Sequence, residues 1–507
     1  MNPQRRILLL NAAQLAAAGA LGGVACARVP DAAYPFSLGV ASGSPLPDSV
    51  ILWTRILADP LNAAATSPVV LSVRWEVAED EAFRRIAAKG SATALPALAH
   101  SVHVDVKGLQ PGRWYWYRFM LGEAVSPVGR TRTAPAPGEM PALLKLAVAS
   151  CQHWEFGSYA AHRHIAAAAP DLVAFVGDYI YEWGPYRLSH PLKPVRSDES
   201  LTLAQYRARY AQYKSDRDLQ AAHQAAPWIV TWDDHEVAND YTSDVDPRGS
   251  PGFLARRAAA YQAFYEHMPL RLPALADYAK FSITQRYDWG ALARFHVLDD
   301  RQYRAHHACN TSSVSRSACP ELDDPARTML GGDQESWLAQ GLKNSKARWN
   351  VIVQQTLMAS TARDKVWTDG WDGYPAARSR LFDTLAASNA ANPVVVSGDV
   401  HSFFASDLRR DVERPVSKAN PIVAAEFCGT SVTSSSRPQP RTQAMVDANA
   451  HILYGRSDHR GFILMALTPN STSASFIGLD DVHNAASGIA TLAAFKVDAG
   501  RAGIGQV

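Results

Sequence analysis

The sequence carries almost no excess charge. Its net charge is +2, with no basic run and no aromatic–basic stripe, so electrostatics give no reason to invoke nucleic acid. It has no internal repeat and no low-complexity tract. Beyond residue 27 no apolar run is long enough for a membrane span. Cysteine is scarce, with five residues in 507. What is present suits a globular protein: 47% hydrophobic and 19% charged residues. A chain of this length exceeds one simple core, so two domains are expected.

The first residues read as a leader. Arg5-Arg6 precede Ile7–Leu10 and a small apolar stretch through Val24, and Ala25-Cys26-Ala27 offers a small-x-small cleavage site. The stretch is too short for a flanked membrane span and has signal-peptide anatomy. The paired arginines suggest the twin-arginine route, with its translocase as a partner during export. An ordinary secretory signal is the bland alternative. A lipoprotein anchored through Cys26 is less favoured, because Gly23 stands where such sites want a large aliphatic. The reading is a signal peptide over 1–27 and a periplasmic or secreted mature chain, expected to be monomeric. Export makes disulfides permissible. Cys309 and Cys319 flank a Ser/Thr/Asn-rich loop and are expected to pair. Cys428 reads as a packed core thiol. Cys151 is then a free exported cysteine, which a metal would protect.

Residues 34–134 read as short strands separated by turns, the pattern of an antiparallel β-sandwich. In Val102–Val106 the alternation sets Val102, Val104 and Val106 toward a core. A proline-rich stretch around 135–143 is the clearest boundary. Residues 144–490 then alternate strands and helices. Residues 201–226 and 254–267 read as helical, and 281–287 and 291–298 as antiparallel strands. An aromatic loop at 359–375, with Trp367, Trp371, Asp372 and Tyr374, reads either as a cleft rim or as a simple cover over the domain, the rim being narrowly preferred.

The chemistry sits at the ends of four apolar strands. Leu144–Ser150 ends at Cys151. Asp171–Val176 ends in Gly177-Asp178-Tyr179-Ile180-Tyr181-Glu182. Trp228–Trp232 ends in Asp233-Asp234-His235-Glu236, with Asn239 nearby. Val394–Ser397 ends in Gly398-Asp399-Val400-His401. Any one of these residues alone is more often a turn or a core thiol. Turn chemistry, however, does not need histidines or a repeated acidic placement. In sheets of parallel strands, functional groups gather past the carboxyl ends. Two or more metal ions held there would bind phosphoryl oxygens and lower the pKa of a water. Thiolate and phenolate suit iron, while carboxylates and carbonyls suit Ca²⁺ or Mg²⁺. His235 is placed to protonate a leaving oxygen, with Asp233 beside it. Arg209 on the helical stretch is a candidate to grip an anion, or it belongs to a solvated helix face.

These residues meet a known family. Phe36–Gly43, Ser49–Arg55, Ala149–Gln152, Gly177–Glu182, Trp232–Asn239 and Ser397–Ser402 together resemble PhoD-like alkaline phosphatases and phosphodiesterases, along the whole mature chain. The resemblance implies an α/β protein with an all-β N-terminal domain: a fibronectin-III-like sandwich before a four-layer αββα metallophosphoesterase domain. It implies Fe³⁺ with Ca²⁺, and hydrolysis of phosphate mono- and diesters. By position, Cys151, Asp178, Tyr181 and His401 look like iron ligands, with Asp178 bridging. Asp234, Asn239 and Asp399 look like calcium-side ligands, and which of Asp234 and Asn239 is the main one stays open. Ser44 departs from the aspartate usual after Ala-Ser-Gly. A phospholipase D-type diesterase is the nearest alternative. A non-catalytic exported metal-binding sandwich is the more distant one.

Overall fold

Apolar residues on both faces of short strands build the centre of the molecule. The computed structural model describes residues 34–63, 67–186, 193–195, 197–309, 314–315, 318–361 and 366–506. The leader at 1–27, with Arg5, Arg6 and Cys26, lies outside the described residues. Strands Leu144–Ala149, Leu172–Val176 and Trp228–Thr231 pair in parallel. Leu146, Val148, Ala174, Val176 and Ile229 face one side, and Val173, Phe175, Trp228 and Val230 the other. The period of two therefore supplies both faces of one sheet with core.

A second sheet lies against the first. Its central strands Trp349–Val353, Pro393–Ser397 and Ile422–Cys428 are also parallel. Val351, Val353, Val394, Val396 and Phe427 meet the first sheet, while Ile352, Val395 and Cys428 face outward. Helices Gly332–Lys343 and Pro375–Ser388 cover that outer side. Helices Ala160–Ala168, Leu203–Lys214, Arg217–Ala225 and Phe253–His267 cover the outer face of the first sheet. The result is four layers: helices, sheet, sheet, helices. Trp228 and Phe175 stack at 5.7 Å in the first helix–sheet layer, and each buried aromatic contributes about 1.5–3 kcal/mol.

The N-terminal strands form their own core. Val50, Leu52, Val102, Val104 and Val106 pack against Val73, Val77, Tyr115, Tyr117 and Phe119, as the alternation anticipated for Val102–Val106. One wall of this sandwich is not separate, however. Val40–Leu46, Ser49–Arg55 and Ser101–Lys107 continue the first sheet, making it ten-stranded, through the parallel pair Gly43↔Trp228. Gly43 permits the approach, since a Cβ there would lie 2.6 Å from the carbonyl oxygens of Trp228 and Pro269. Further strands at Ile489–Asp498 and Gly505–Gln506 extend the other edge. From Tyr34 onward the chain is one unit by its contacts. No helix among the described residues is long and apolar enough to cross a membrane.

The aromatic loop does not form a rim. Trp371 and Tyr374 are fully buried, and Asp372 pairs with Arg378. Their rings fill the layer beneath the second sheet, where apolar area is removed from water. Cys309 and Cys319 do form a disulfide, with Cα atoms 5.7 Å apart, and pack with Ala308, Leu322 and Val366. Closing a loop of this length constrains the unfolded chain by about 2–3 kcal/mol. We expect Cys309→Ser to speed proteolysis between residues 305 and 333 while leaving ester turnover near wild type. Timed digestion with gel readout, beside a rate assay, checks this; an unchanged digestion rate would oppose it.

Candidate metal centre

Four loops meet at the carboxyl ends of the parallel strands. Glycine makes the approach possible at two of them. A Cβ on Gly177, whose φ is +102°, would lie 2.4 Å from Asp233 Cβ, and one on Gly398 would lie 2.4 Å from Ser150 Oγ. The residues that follow are held in the left-handed region: Asp178 at φ 57°, Asp399 at 63°, His401 at 53°, and Cys151 at 60° on its own loop. For non-glycine residues this costs about 1–3 kcal/mol each, so the surroundings must enforce it. Backbone ties do so. Cys151 N–H donates to Gly177 O at 3.1 Å, and Gln152 N–H to Asp178 O at 3.0 Å. The Glu236 carboxylate accepts from the N–H groups of Asp178, Tyr179 and Asp233 at 3.1, 2.5 and 2.8 Å.

One half of the centre is soft. Donor atoms of Cys151, Asp178 and His401 lie within 4.8 Å of one another. The Tyr181 hydroxyl donates to Asp178 Oδ2 at 2.8 Å and lies 3.3 Å from His401 Nε2. Ser435 O sits 2.6 Å from His401 Nδ1, so Nδ1–H donates outward and Nε2 keeps its lone pair for the centre. Burial, then the charge of Asp178, pushes the Cys151 thiol and the Tyr181 phenol far up. Burial also works to raise Asp178, but His235 and His401 outweigh it and hold its carboxyl low, at about 2.

The other half is hard and acidic. Asp233, Asp234 and Asp399 converge within 4.8 Å, as do Asp234, Asp240 and Asp369. Asp399 Oδ2 accepts from Thr356 Oγ1 at 2.6 Å, and Asp234 Oδ2 from Asp240 N–H at 2.6 Å. Asn239 lies beside them, anchored by its N–H to Glu182 Oε1 at 2.8 Å. Burial raises the carboxyls of Asp399, to about 7, and Asp240, to about 8, with Arg301 opposing. Asp178 Oδ1 and Asp233 Oδ2 are buried without a hydrogen-bond partner. Buried carboxylates crowded in this way need positive charge. The donor set therefore fits metal ions, with sulfur and phenol on one side and oxygen alone on the other.

His235 sits between the halves. Its Nδ1 is 2.7 Å from Glu182 Oε2, and its ring lies 4.1 Å from that of Tyr181 and 4.4 Å from that of Trp183. Burial works against its charge, but Asp234, Asp178 and Glu182 prevail and push its pKa well up. One of its ring nitrogens also comes within 4.8 Å of Asp178 and Asp234 oxygens. Asp233 is turned inward: its Oδ1 accepts from the Arg301 guanidinium.

Arg209 is the residue the fold puts elsewhere. Its guanidinium donates to the carbonyl oxygens of Tyr181 and Trp183, and to Asp198 O at 3.0 Å. Those acceptors and Ser197 Oγ hold both of its terminal nitrogens, so it braces a loop rather than gripping an anion. Four residues of the centre escape sequence reasoning. Glu182 was quoted only as the end of its motif, and Asp240 only follows Asn239 in the chain. Asp369, before a glycine in the aromatic loop, carries the mark of a turn. Arg301, after Asp299-Asp300, has no local pattern at all.

The sequence matches the family described as PhoD-like phosphatase over residues 146–476, and its N-terminal domain over residues 23–135. Alkaline phosphatase D of Bacillus subtilis (strain 168) is 44% identical over 487 residues, covering 94% of this chain and 82% of that protein. The solved structure described as PhoD superposes with a TM-score of 0.90 at 43% identity, covering 94% of this chain and 93% of that one.

Gly177 offers a direct test of the centre. We expect Gly177→Ala to force apart the loops carrying Asp178 and Asp233, with an overpacking cost of roughly 1–3 kcal/mol and a loss of bound metal. Elemental analysis and calorimetric melting measure the two effects. Full metal content at an unchanged melting temperature would contradict the close approach.

Proposed function

The chain belongs to the PhoD-like phosphatase family, and on that premise we propose that this phosphoesterase is an exported hydrolase of phosphate mono- and diesters, using Fe³⁺ and Ca²⁺. The observation that carries the reading is the convergence of Cys151, Asp178 and His401 beside Asp234 and Asp399. Cys151, Asp178, Tyr181 and His401 would hold the iron; Asp234, Asn239 and Asp399 would hold the calcium side. Bound there, the ions supply Lewis acidity and a water of lowered pKa.

The protein's own groups do the rest. Glu182 accepts from His235 Nδ1, fixing the ring and leaving Nε2 to carry the proton for the leaving oxygen. The Glu182 carboxylate, which is not assigned to a metal, favours the charged imidazolium through this hydrogen bond. Asp233 holds Arg301 beneath the ligands. The proposed division is a sandwich over 34–134, a connection at 135–143 and a catalytic domain over 144–490, supported by the two family matches. Signal-peptide export to the periplasm or beyond, through the twin-arginine translocase, and a monomeric state complete the proposal. A phospholipase D-type diesterase is a second reading, favoured by Trp183, Pro185 and Tyr186, which line a depression of about 640 Å³ next to His235.

Two outcomes are expected. Iron-loaded protein should show a visible tyrosinate charge-transfer band that Tyr181→Phe removes; colourless iron-loaded wild type would count against the assignment. His235→Ala should keep its metals and lose rate by about 10²–10⁴-fold, more on an alkyl ester than on a nitrophenyl ester. Loss of metal with the histidine would make it a ligand instead. Equal slowing on both esters would assign it to phosphoryl binding.

A further inference from the structure

The two halves of the centre differ in the fixed charge beside them. The acidic half has Arg301, which is fully buried. Its guanidinium is tied along two edges. Nε donates to Asp233 Oδ1, and Nη1 donates to the two oxygens of Asp369 at 2.8 and 2.7 Å. The third nitrogen, Nη2, is a buried donor without an acceptor. It lies 3.6 Å from Asp399 Oδ1 and 3.8 Å from Asp234 Oδ1, too far for a hydrogen bond. The Asp178 carboxylate of the soft half forms no ion pair with an arginine or lysine among the described residues; its partner is His401, at 4.0 Å.

The gap around Nη2 has its cause in the loops. Asp234 Oδ1 accepts from His235 N–H at 3.0 Å, and Asp234 Oδ2 from Asp240 N–H at 2.6 Å. Asp399 Oδ2 accepts from Thr356 Oγ1 at 2.6 Å. Both carboxylates are anchored to their own surroundings and held off the guanidinium. Asp233 and Asp369 hold the guanidinium in turn, so it cannot swing across to complete a pair. Arg301 therefore sets a fixed positive charge beside Asp234 and Asp399 without hydrogen-bonding either of them. Such a charge acts on any cation those oxygens take up. The repulsion is proportional to the charge of that ion, so a trivalent ion is penalised more than a divalent one.

We propose that Arg301 sets the ionic charge that the acidic half accepts, favouring a divalent over a trivalent ion of the same size and the same preference for oxygen. The inference rests on the hydrolase reading above, which assigns calcium to Asp234 and Asp399. It names the residue that leaves a trivalent ion to the soft half.

The test is competition dialysis of iron-loaded protein against equal free concentrations of Ca²⁺ and La³⁺, with bound metals measured by elemental analysis. Calcium prefers oxygen ligands, and lanthanum is an ion of similar radius and preference with one more charge. Wild type is compared with Arg301→Gln, which removes the charge, and Arg301→Lys, which keeps it. Wild type should retain calcium. In Arg301→Gln the ratio of bound La³⁺ to Ca²⁺ should rise by about 10–100-fold, the effect of losing one unit charge a few ångströms away in a screened interior. Arg301→Lys should stay near wild type. A merely structural arginine would weaken both ions together and leave the ratio unchanged, and that result overturns the proposal. An equal shift in both variants overturns it as well. So does La³⁺ displacing calcium from wild type, and this arm decides the matter if the variants fail to fold. Mono- and diester assays on the same wild-type samples test the hydrolase reading separately. The expected ratios without turnover of either ester defeat that reading and spare the arginine. Turnover with an unchanged ratio in Arg301→Gln defeats the arginine and spares the reading.

Discussion

Everything at the centre depends on one buried cation. Arg301 is fully removed from solvent. It bonds Asp233 and Asp369 and lies 3.8 Å from Asp234 and 3.6 Å from Asp399. Taking a guanidinium and several carboxylates out of water costs several kcal/mol per ion, and only mutual attraction and hydrogen bonding offset it. Arg304 shares Asp369 from the other side, and His307 Nε2 sits 3.1 Å from the same carboxylate. The network supports the acidic loops from beneath while leaving carboxylate oxygens without partners. Arg301 and Arg304 cannot neutralise the whole cluster, so the arrangement calls for further positive charge. An enzyme of this family meets that requirement most directly with metal ions.

The parts of this centre that are legible in the sequence share one property: each is a strand followed at once by a residue with a donor atom for the centre. Cys151, Asp178, Asp234, Asp399 and His401 follow apolar runs, so a parallel sheet places them together without further information. The same logic covers the four layers, because period-two runs such as Leu172–Val176 declare two buried faces. Arg301, Asp240 and Asp369 were not legible, since they reach the centre through loop paths that no periodicity encodes. Glu182 was visible as a residue but not as the partner of His235, because that pairing joins loops 53 positions apart in the chain. Arg209 shows the opposite failure. An arginine near such donor residues suggests an anion, yet four carbonyl oxygens compete for it, and carbonyls leave no mark in a sequence.

The aromatic loop misled for a related reason. Tryptophan and tyrosine suit both a cleft wall and a core, and only burial separates the two. Trp371 and Tyr374 went inside, whereas Trp183 and Tyr186, which the sequence reading left without a role, line the open depression.

The ten-stranded sheet has a consequence for motion. Its strands run from Ser101–Lys107 through those carrying Cys151, Asp178 and Asp234 to Gly505–Gln506 without a break, so no seam separates the N-terminal strands from that half of the centre. A hinge between the N-terminal strands and the rest would have to tear a hydrogen-bonded sheet. The connections above the strand ends are free of that constraint, and loops of this kind rearrange in nanoseconds to microseconds rather than the microseconds to milliseconds of domain closure.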